Sequence, residues 1–132
     1  MQIQPYVFFD GRCDEALAFY RSALGAEVKM LMRFKDCPAP VTHGTEDKVM
    51  HADVRIGETT VLMSDGRCTG KPSFQGFALT LIVASEAEAD RLFTALRDGG
   101  TVQMPMAKTF FSPRFGMVMD QFGVSWMVYV AH

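Results

Sequence analysis

Few structures satisfy residues Val49 to Ser64, VMHADVRIGETTVLMS. Met50, Ala52, Val54 and Ile56 alternate with His51, Asp53 and Arg55, and that period of two gives a strand one apolar and one polar face. Gly57-Glu58 interrupts the run. Thr59 to Ser64 is then almost continuously apolar, as in a more buried strand. The stretch reads as a β-hairpin. A similar pair stands at residues 114–130, RFGMVMDQFGVSWMVYV, with a turn at Phe122-Gly123. Two such hairpins suggest two copies of one small unit, each with its hairpin as the centre of a sheet.

The flanking segments support the repeat. Gln2 to Phe9 reads as a short strand whose Pro5 places that end at an edge or terminus. Asp10-Gly11 ends it. Cys13, Leu17, Tyr20 and Leu24 then fall on one face of a helix, with Asp14 and Glu15 at its start and Gly25 at its C-terminal cap. Ala26 to Phe34 reads as a strand, and Lys35 to Lys48, with two prolines and a glycine, as a long loop. Asp65 to Ser73 is a polar linker. Phe74 to Ala84 begins the second unit as a strand. Ser85 and Glu88 form a capping-box pattern ahead of Ala89, Leu92, Phe93 and Leu96, and Gly99-Gly100 ends that helix. Thr101 to Met104 reads as a strand, followed by a loop with Pro105 and Pro113. The order is strand, helix, three strands, twice. The offset of roughly 65–75 residues is longer than solenoid repeats and fits a duplicated half-domain.

The fold class expected is therefore α+β, two βαβββ modules of about residues 1–66 and 74–131 within a single domain, 1–132. The chain has 132 residues, 48% of them hydrophobic and 21% charged, enough to bury a core. A net charge of −2 offers no electrostatic reason to bind nucleic acid or an anionic membrane surface. No apolar run approaches the ~20 residues of a membrane helix. The first residues, MQIQPYVFF, lack a basic region and a small-residue cleavage site, so no secretion signal is expected. Cys13, Cys37 and Cys68 are odd in number and form no CxxC, as in reduced thiols of a cytoplasmic protein.

This arrangement resembles the vicinal oxygen chelate superfamily of glyoxalase I, extradiol dioxygenases and bleomycin- and fosfomycin-resistance proteins, and more closely its PhnB-like branch. The residues that carry the resemblance run from Pro5-Tyr6, Phe8-Phe9 and Gly11 through Phe19-Tyr20 and Leu24-Gly25-Ala26 to His51-Ala52 and Met63-Ser64-Asp65. They continue with Gly70-Lys71 and Gly76-Phe77 to Phe115-Gly116, Asp120, Phe122-Gly123-Val124 and Trp126-Met127. The resemblance implies that each unit forms a half-barrel sheet curved around a cavity, and that two chains form a homodimer.

Metal enzymes of that superfamily draw a divalent ion's ligands from the first and last strands of each unit. Carried over by position, those sites fall at Gln4 or Pro5, near Leu62 or Met63, near Phe77 and near Met127. Apolar side chains and a thioether are inadequate ligands for hard ions, zinc or iron, so no metal and no cofactor are expected. The branch is often labelled a methyltransferase acting on a ubiquinone precursor. The sequence has neither the strand, Gly-rich turn and helix of cofactor-binding α/β folds nor a phosphate loop.

His51 is the strongest polar candidate, as acid, base or hydrogen-bonding group, against the alternative of a structural histidine. His43 and His132 read as solvated. Ser64-Asp65 lacks the glycines of a nucleophile elbow and reads as a strand-end turn cap. Lys71 and Arg114 are candidates for an anion at a cavity mouth, although exposed cations are commonly just solvated. The alternating pairs Met30 and Met32, Met104 and Met106, and Met117 and Met119 suit either core packing or an adaptable apolar lining. The expectation is a small-molecule binding protein with an apolar cavity lined by Gln4, Phe8, His51, Met63, Phe111, Arg114 and Trp126, with Phe110 adding to an aromatic wall. The alternative is a lyase, isomerase or transferase dependent on a metal or on His51.

Overall fold

The computed structural model describes residues 1–38, 43–68 and 70–131. They form two compact units, Met1–Pro72 and Ser73–His132. The first contains β1 (Tyr6–Phe8), α1 (Cys13–Leu24), β2 (Glu27–Arg33), a 3-10 turn at Phe34–Asp36, β3 (Val49–Ile56) and β4 (Thr59–Ser64). The second contains β5 (Leu79–Val83), α2 (Glu86–Arg97), β6 (Thr101–Ala107), β7 (Phe115–Met119) and β8 (Ser125–Val130). The sheets run β1-β4-β3-β2 and β5-β8-β7-β6, the same order twice, with one parallel pairing and two antiparallel ones in each. This is the α+β fold of two βαβββ modules expected from the sequence.

In the first unit the period of two decides what the helix covers. Val7, Met63 and Ala52 are neighbours across β1, β4 and β3, as are Val61 and Val54 on the hairpin, and all are buried. Phe9 continues this face and meets Tyr20 of α1, whose buried stripe also includes Cys13, Ala16 and Leu17. Gly25 is left-handed, and its N–H and that of Ala26 return to the carbonyls of Arg21 and Tyr20, which ends α1 at Leu24. Arg33 holds Asp14 through two hydrogen bonds of 2.9 and 3.0 Å, tying the start of α1 to the end of β2.

The start of α1 has no cap of its own, because the side chain of Arg12 makes no capping bond. Asp65, 1% exposed at the end of β4, supplies it from a distance. One carboxylate oxygen accepts the N–H groups of Gly11 (2.8 Å) and Cys13 (2.7 Å), and the other accepts that of Val49 (2.8 Å). Helix start, hairpin start and hairpin end thus meet at one side chain.

In the second unit α2 covers the face carrying Trp126, Val128, Val130 and Val118. Ser85 caps α2 by accepting the N–H of Glu88 (3.2 Å), and Ala89, Leu92, Phe93 and Leu96 form its buried stripe. A Cβ on Gly116 would lie 2.9 Å from Phe93 and collide with Met106, so β7 approaches the helix closely only because this residue is glycine. Asp120, also buried, accepts the N–H groups of Phe122 (2.9 Å) and Val124 (3.0 Å) and the indole N–H of Trp126 (2.9 Å), which fixes the β7–β8 turn.

Several strand limits differ from those expected. β1 covers only Tyr6–Phe8, and Gln2 to Gln4 precede it, because pairing with β4 extends over three residues. β5 begins at Leu79, not Phe74. β6 continues through Pro105 to Ala107, where a loop was expected. It is an edge strand with a register shift between Met104 and Ala107, which accommodates a residue with no N–H. The shift separates a methionine pair: Met104 is exposed and pairs with Met117, whereas Met106 lies against Gly116 and Phe93. Part of the Lys35 to Lys48 loop, residues 39–42, and His132 lie outside the described residues.

Replacing Asp65 by Ala leaves three backbone donors without their acceptor. Urea unfolding is expected to show a loss of about 3–5 kcal/mol, against no more than about 0.5 kcal/mol for the exposed control Glu58→Ala.

Candidate functional site

The other face of the first sheet is not covered by α1. Tyr6 and Leu62 are paired across β1 and β4, and Leu62 and Asp53 across β4 and β3, so their side chains share this face, with His51 two residues from Asp53. Tyr6 and Phe8 emerge from the edge strand on the same side, 40% and 48% exposed, with rings stacked 4.7 Å apart and 10° from parallel. Large exposed aromatics stacked on an edge strand form a ready platform for a planar molecule.

Beside the platform His51 is held at both ring nitrogens. Its Nδ1 is 2.7 Å from the Tyr6 hydroxyl, and its Nε2 is 2.7 Å from Asp53 Oδ1. The Tyr6 ring also tilts against the imidazole, with centroids 5.5 Å apart. Burial pushes the Tyr6 phenol above its ordinary value, a hydrogen bond with Ser64 opposes the rise, and the nearby charge of Asp53 adds to it.

Phe8 also lines an open groove of about 370 Å³, together with Asp10, Gly66, Arg67, Cys68, Lys71 and Pro72. Gly66 has a positive φ of 63°, and a Cβ there would sit 3.2 Å from the Phe8 ring, so the turn passes close beside Phe8. Arg67 and Lys71 bring positive charge to the groove and Asp10 negative charge. Burial raises the pKa of Cys68, and the charges of Asp65 and Asp10 reinforce this, so its thiol is not a ready nucleophile. Asp65 is engaged in the fold through its three backbone partners.

Within each unit, the residues expected to line a cavity divide between different surroundings. Phe8 and His51 share the open face of the first sheet. Gln4 is exposed and precedes β1. Met63, 1% exposed, points to the side covered by α1. In the second unit Trp126, 2% exposed, lies on the side covered by α2, with its N–H given to Asp120. Arg114 pairs with Asp90 of α2 at 2.8 Å. Phe111 is exposed and packs edge-on against Phe110, Phe115 and Tyr129. His43 is fully exposed, 3.9 Å from Glu46. Tyr6 and Asp53 were not singled out from the sequence. Tyr6 sits in the continuous apolar run Tyr6-Val7-Phe8-Phe9, which carries no local signal, whereas the shared parity of positions 51 and 53 carried that for Asp53.

Among the described residues, no group of three or more His, Cys, Asp or Glu is placed to share an ion. The positions that the superfamily resemblance assigns to metal ligands hold the exposed Gln4, Pro5, Leu62, the buried Met63, Phe77 and Met127, and this donor set does not fit a divalent ion.

The raised Tyr6 pKa has a testable sign. The unfolded chain ionises this phenol at its ordinary value, near 10, and the folded chain only above it. Folded protein therefore binds more protons in that interval, and stability falls as pH rises through it. Denaturant midpoints are expected to drop more steeply above about pH 10 for the wild type than for Tyr6→Phe.

The comparisons with known proteins agree with this architecture. A family model described as 3-demethylubiquinone-9 3-methyltransferase matches residues 1–129. Protein PA1353 from Pseudomonas aeruginosa is 41% identical, with a TM-score of 0.88 over 99% of this chain and 98% of its own. A PhnB protein from Bacillus cereus is 27% identical, with a TM-score of 0.83 over 99% of this chain and 100% of its own. The fosfomycin resistance protein FosX from Listeria monocytogenes, 10% identical with a TM-score of 0.67 over 100% of this chain and 93% of its own, shares the fold alone. The chain belongs to the family of that model, and its likeness to the PhnB protein agrees with the PhnB-like resemblance read from the sequence.

Proposed function

We propose that the chain is a small-molecule binding protein of its family, which takes a planar, largely apolar ligand on the open face of the first sheet. The observation that carries this reading is the stacked and exposed Tyr6–Phe8 pair, set between the polar chain through His51 and the groove beneath Gly66. Planar ligands gain apolar contact and favourable ring geometry from such a platform. The apolar residues at the superfamily's ligand positions support binding without a metal. The free thiols of Cys13, Cys37 and Cys68 suit a reducing cytoplasmic setting, and no helix among the described residues is long and apolar enough to cross a membrane. The reading includes a homodimer, supported by exposed apolar side chains such as Ile82 and Phe110.

A second reading, an acid–base enzyme centred on His51, is favoured by the Tyr6–His51–Asp53 chain. A carboxylate that orients an imidazole, which in turn holds a hydroxyl, is an arrangement suited to proton transfer. If this reading holds, His51→Ala abolishes turnover of any substrate found while leaving its binding within a fewfold.

Calorimetric titration with 2-naphthol checks the first reading. Saturable binding is expected, weakened roughly tenfold in Tyr6→Ala/Phe8→Ala, a loss of about 1.4 kcal/mol. Thermal shifts with stoichiometric zinc, manganese or magnesium are expected to be nil. Stabilisation by a stoichiometric metal, or binding insensitive to the double substitution, contradicts it.

A further inference from the structure

The hydrogen-bond chain on the open face has a direction, and that direction restricts the ligand. Asp53 as a carboxylate can only accept, so His51 Nε2 must carry the proton in their 2.7 Å contact. A neutral imidazole with its proton on Nε2 has only a lone pair on Nδ1. The Tyr6 hydroxyl, 2.7 Å away, must therefore donate to it. Both protons that could have faced a ligand, on His51 Nε2 and Tyr6 Oη, are committed along the chain. Ser64 also hydrogen-bonds the Tyr6 hydroxyl, and what remains is the other lone pair on Tyr6 Oη and the second oxygen of Asp53, both acceptors.

We propose that Tyr6 and Asp53 present this face as a hydrogen-bond acceptor, and that the site selects planar aromatic molecules carrying a hydroxyl or amino donor over those carrying only acceptors. This deepens the reading of the first sheet as a ligand platform and rests on it. The tyrosine hydroxyl, ordinarily able to play either role, has its polarity set by a histidine that does not itself touch the ligand. His51 is in this sense a positioning residue. Arg67 and Lys71 are donors in the groove that Phe8 also lines, and they serve the part of a ligand that extends there. A phenolic or anilinic edge over Tyr6, with an anionic substituent toward Arg67 and Lys71, matches the polarity of both ends.

The experiment compares 2-naphthol, a donor, with 2-methoxynaphthalene, which has the same ring system and only an acceptor. It uses calorimetric titration at about pH 8, on the neutral side of histidine titration in general. The wild type is expected to bind 2-naphthol roughly tenfold more tightly, the worth of one hydrogen bond made and not left unmade. In Tyr6→Phe the preference is expected to shrink, because one of the two acceptors is gone and only the Asp53 oxygen and the uncovered His51 Nδ1 remain to take the donor. In His51→Ala it is expected to fall toward unity or reverse, because the released Tyr6 proton now serves the methoxy oxygen. The second outcome separates a set polarity from simple contact with Tyr6. Equal binding of the two probes to the wild type, or an unchanged preference in His51→Ala, overturns this inference and leaves the platform standing. Binding of neither probe overturns the platform itself and this inference with it.

Discussion

The structure of the first unit depends on one buried carboxylate. Asp65 ends β4, yet its three hydrogen bonds go to Gly11, Cys13 and Val49, so it joins the loop after β1, the first turn of α1 and the start of β3. A charge almost fully removed from water is tolerable only when every lone-pair direction facing the interior has a donor, and these backbone groups would be orphaned without it. The second unit solves a related problem with Asp120, which satisfies its own hairpin turn and the indole of Trp126. Both carboxylates are thus committed to the fold, and the chemistry available to a ligand lies elsewhere.

That commitment explains how the two faces of the first sheet come to differ. With α1 anchored at its start by Asp65 and at its end by Gly25, its stripe of Cys13, Ala16, Leu17 and Tyr20 is held against Val7, Ala52, Val54 and Met63. The opposite parity, Tyr6, Phe8, His51, Asp53 and Leu62, has no helix of its own unit over it. Polar side chains there must satisfy one another, and Tyr6 of β1 does so with His51 and Asp53 of β3 in a single chain. Burial of the core and organisation of the open face are two consequences of the same strand period.

Much of this was legible in the sequence. The limits of α1 follow from its apolar spacing and the terminating glycine, and those of the β3–β4 hairpin from alternation broken at Gly57-Glu58. Ser85 was readable as a cap because the contact is local. The outer strands were less legible, since their ends are set by how far a partner strand accompanies them. β1 stops where β4 does, and Pro105 is held within β6 by a bulge that no local pattern announces. The site was legible only in part. His51 and Phe8 stood out by type, whereas Tyr6 in a short apolar run resembled core until parity placed it opposite Val7. Met63 and Trp126 suited an apolar lining by chemistry, but their parity sends them to the helices. Asp65 read as a turn cap, and its partners 52 and 54 residues away were invisible to local reasoning.

The central claim is that ligand chemistry resides on the open face of the first sheet. Mapping amide and histidine-ring chemical shifts of the isotopically labelled chain during titration with 2-naphthol tests it most directly. The account predicts saturable shifts centred on Tyr6, Phe8, Gly66 and the His51 ring. Saturable binding with those resonances unmoved, and shifts confined to β5–β8 or α2, would contradict it.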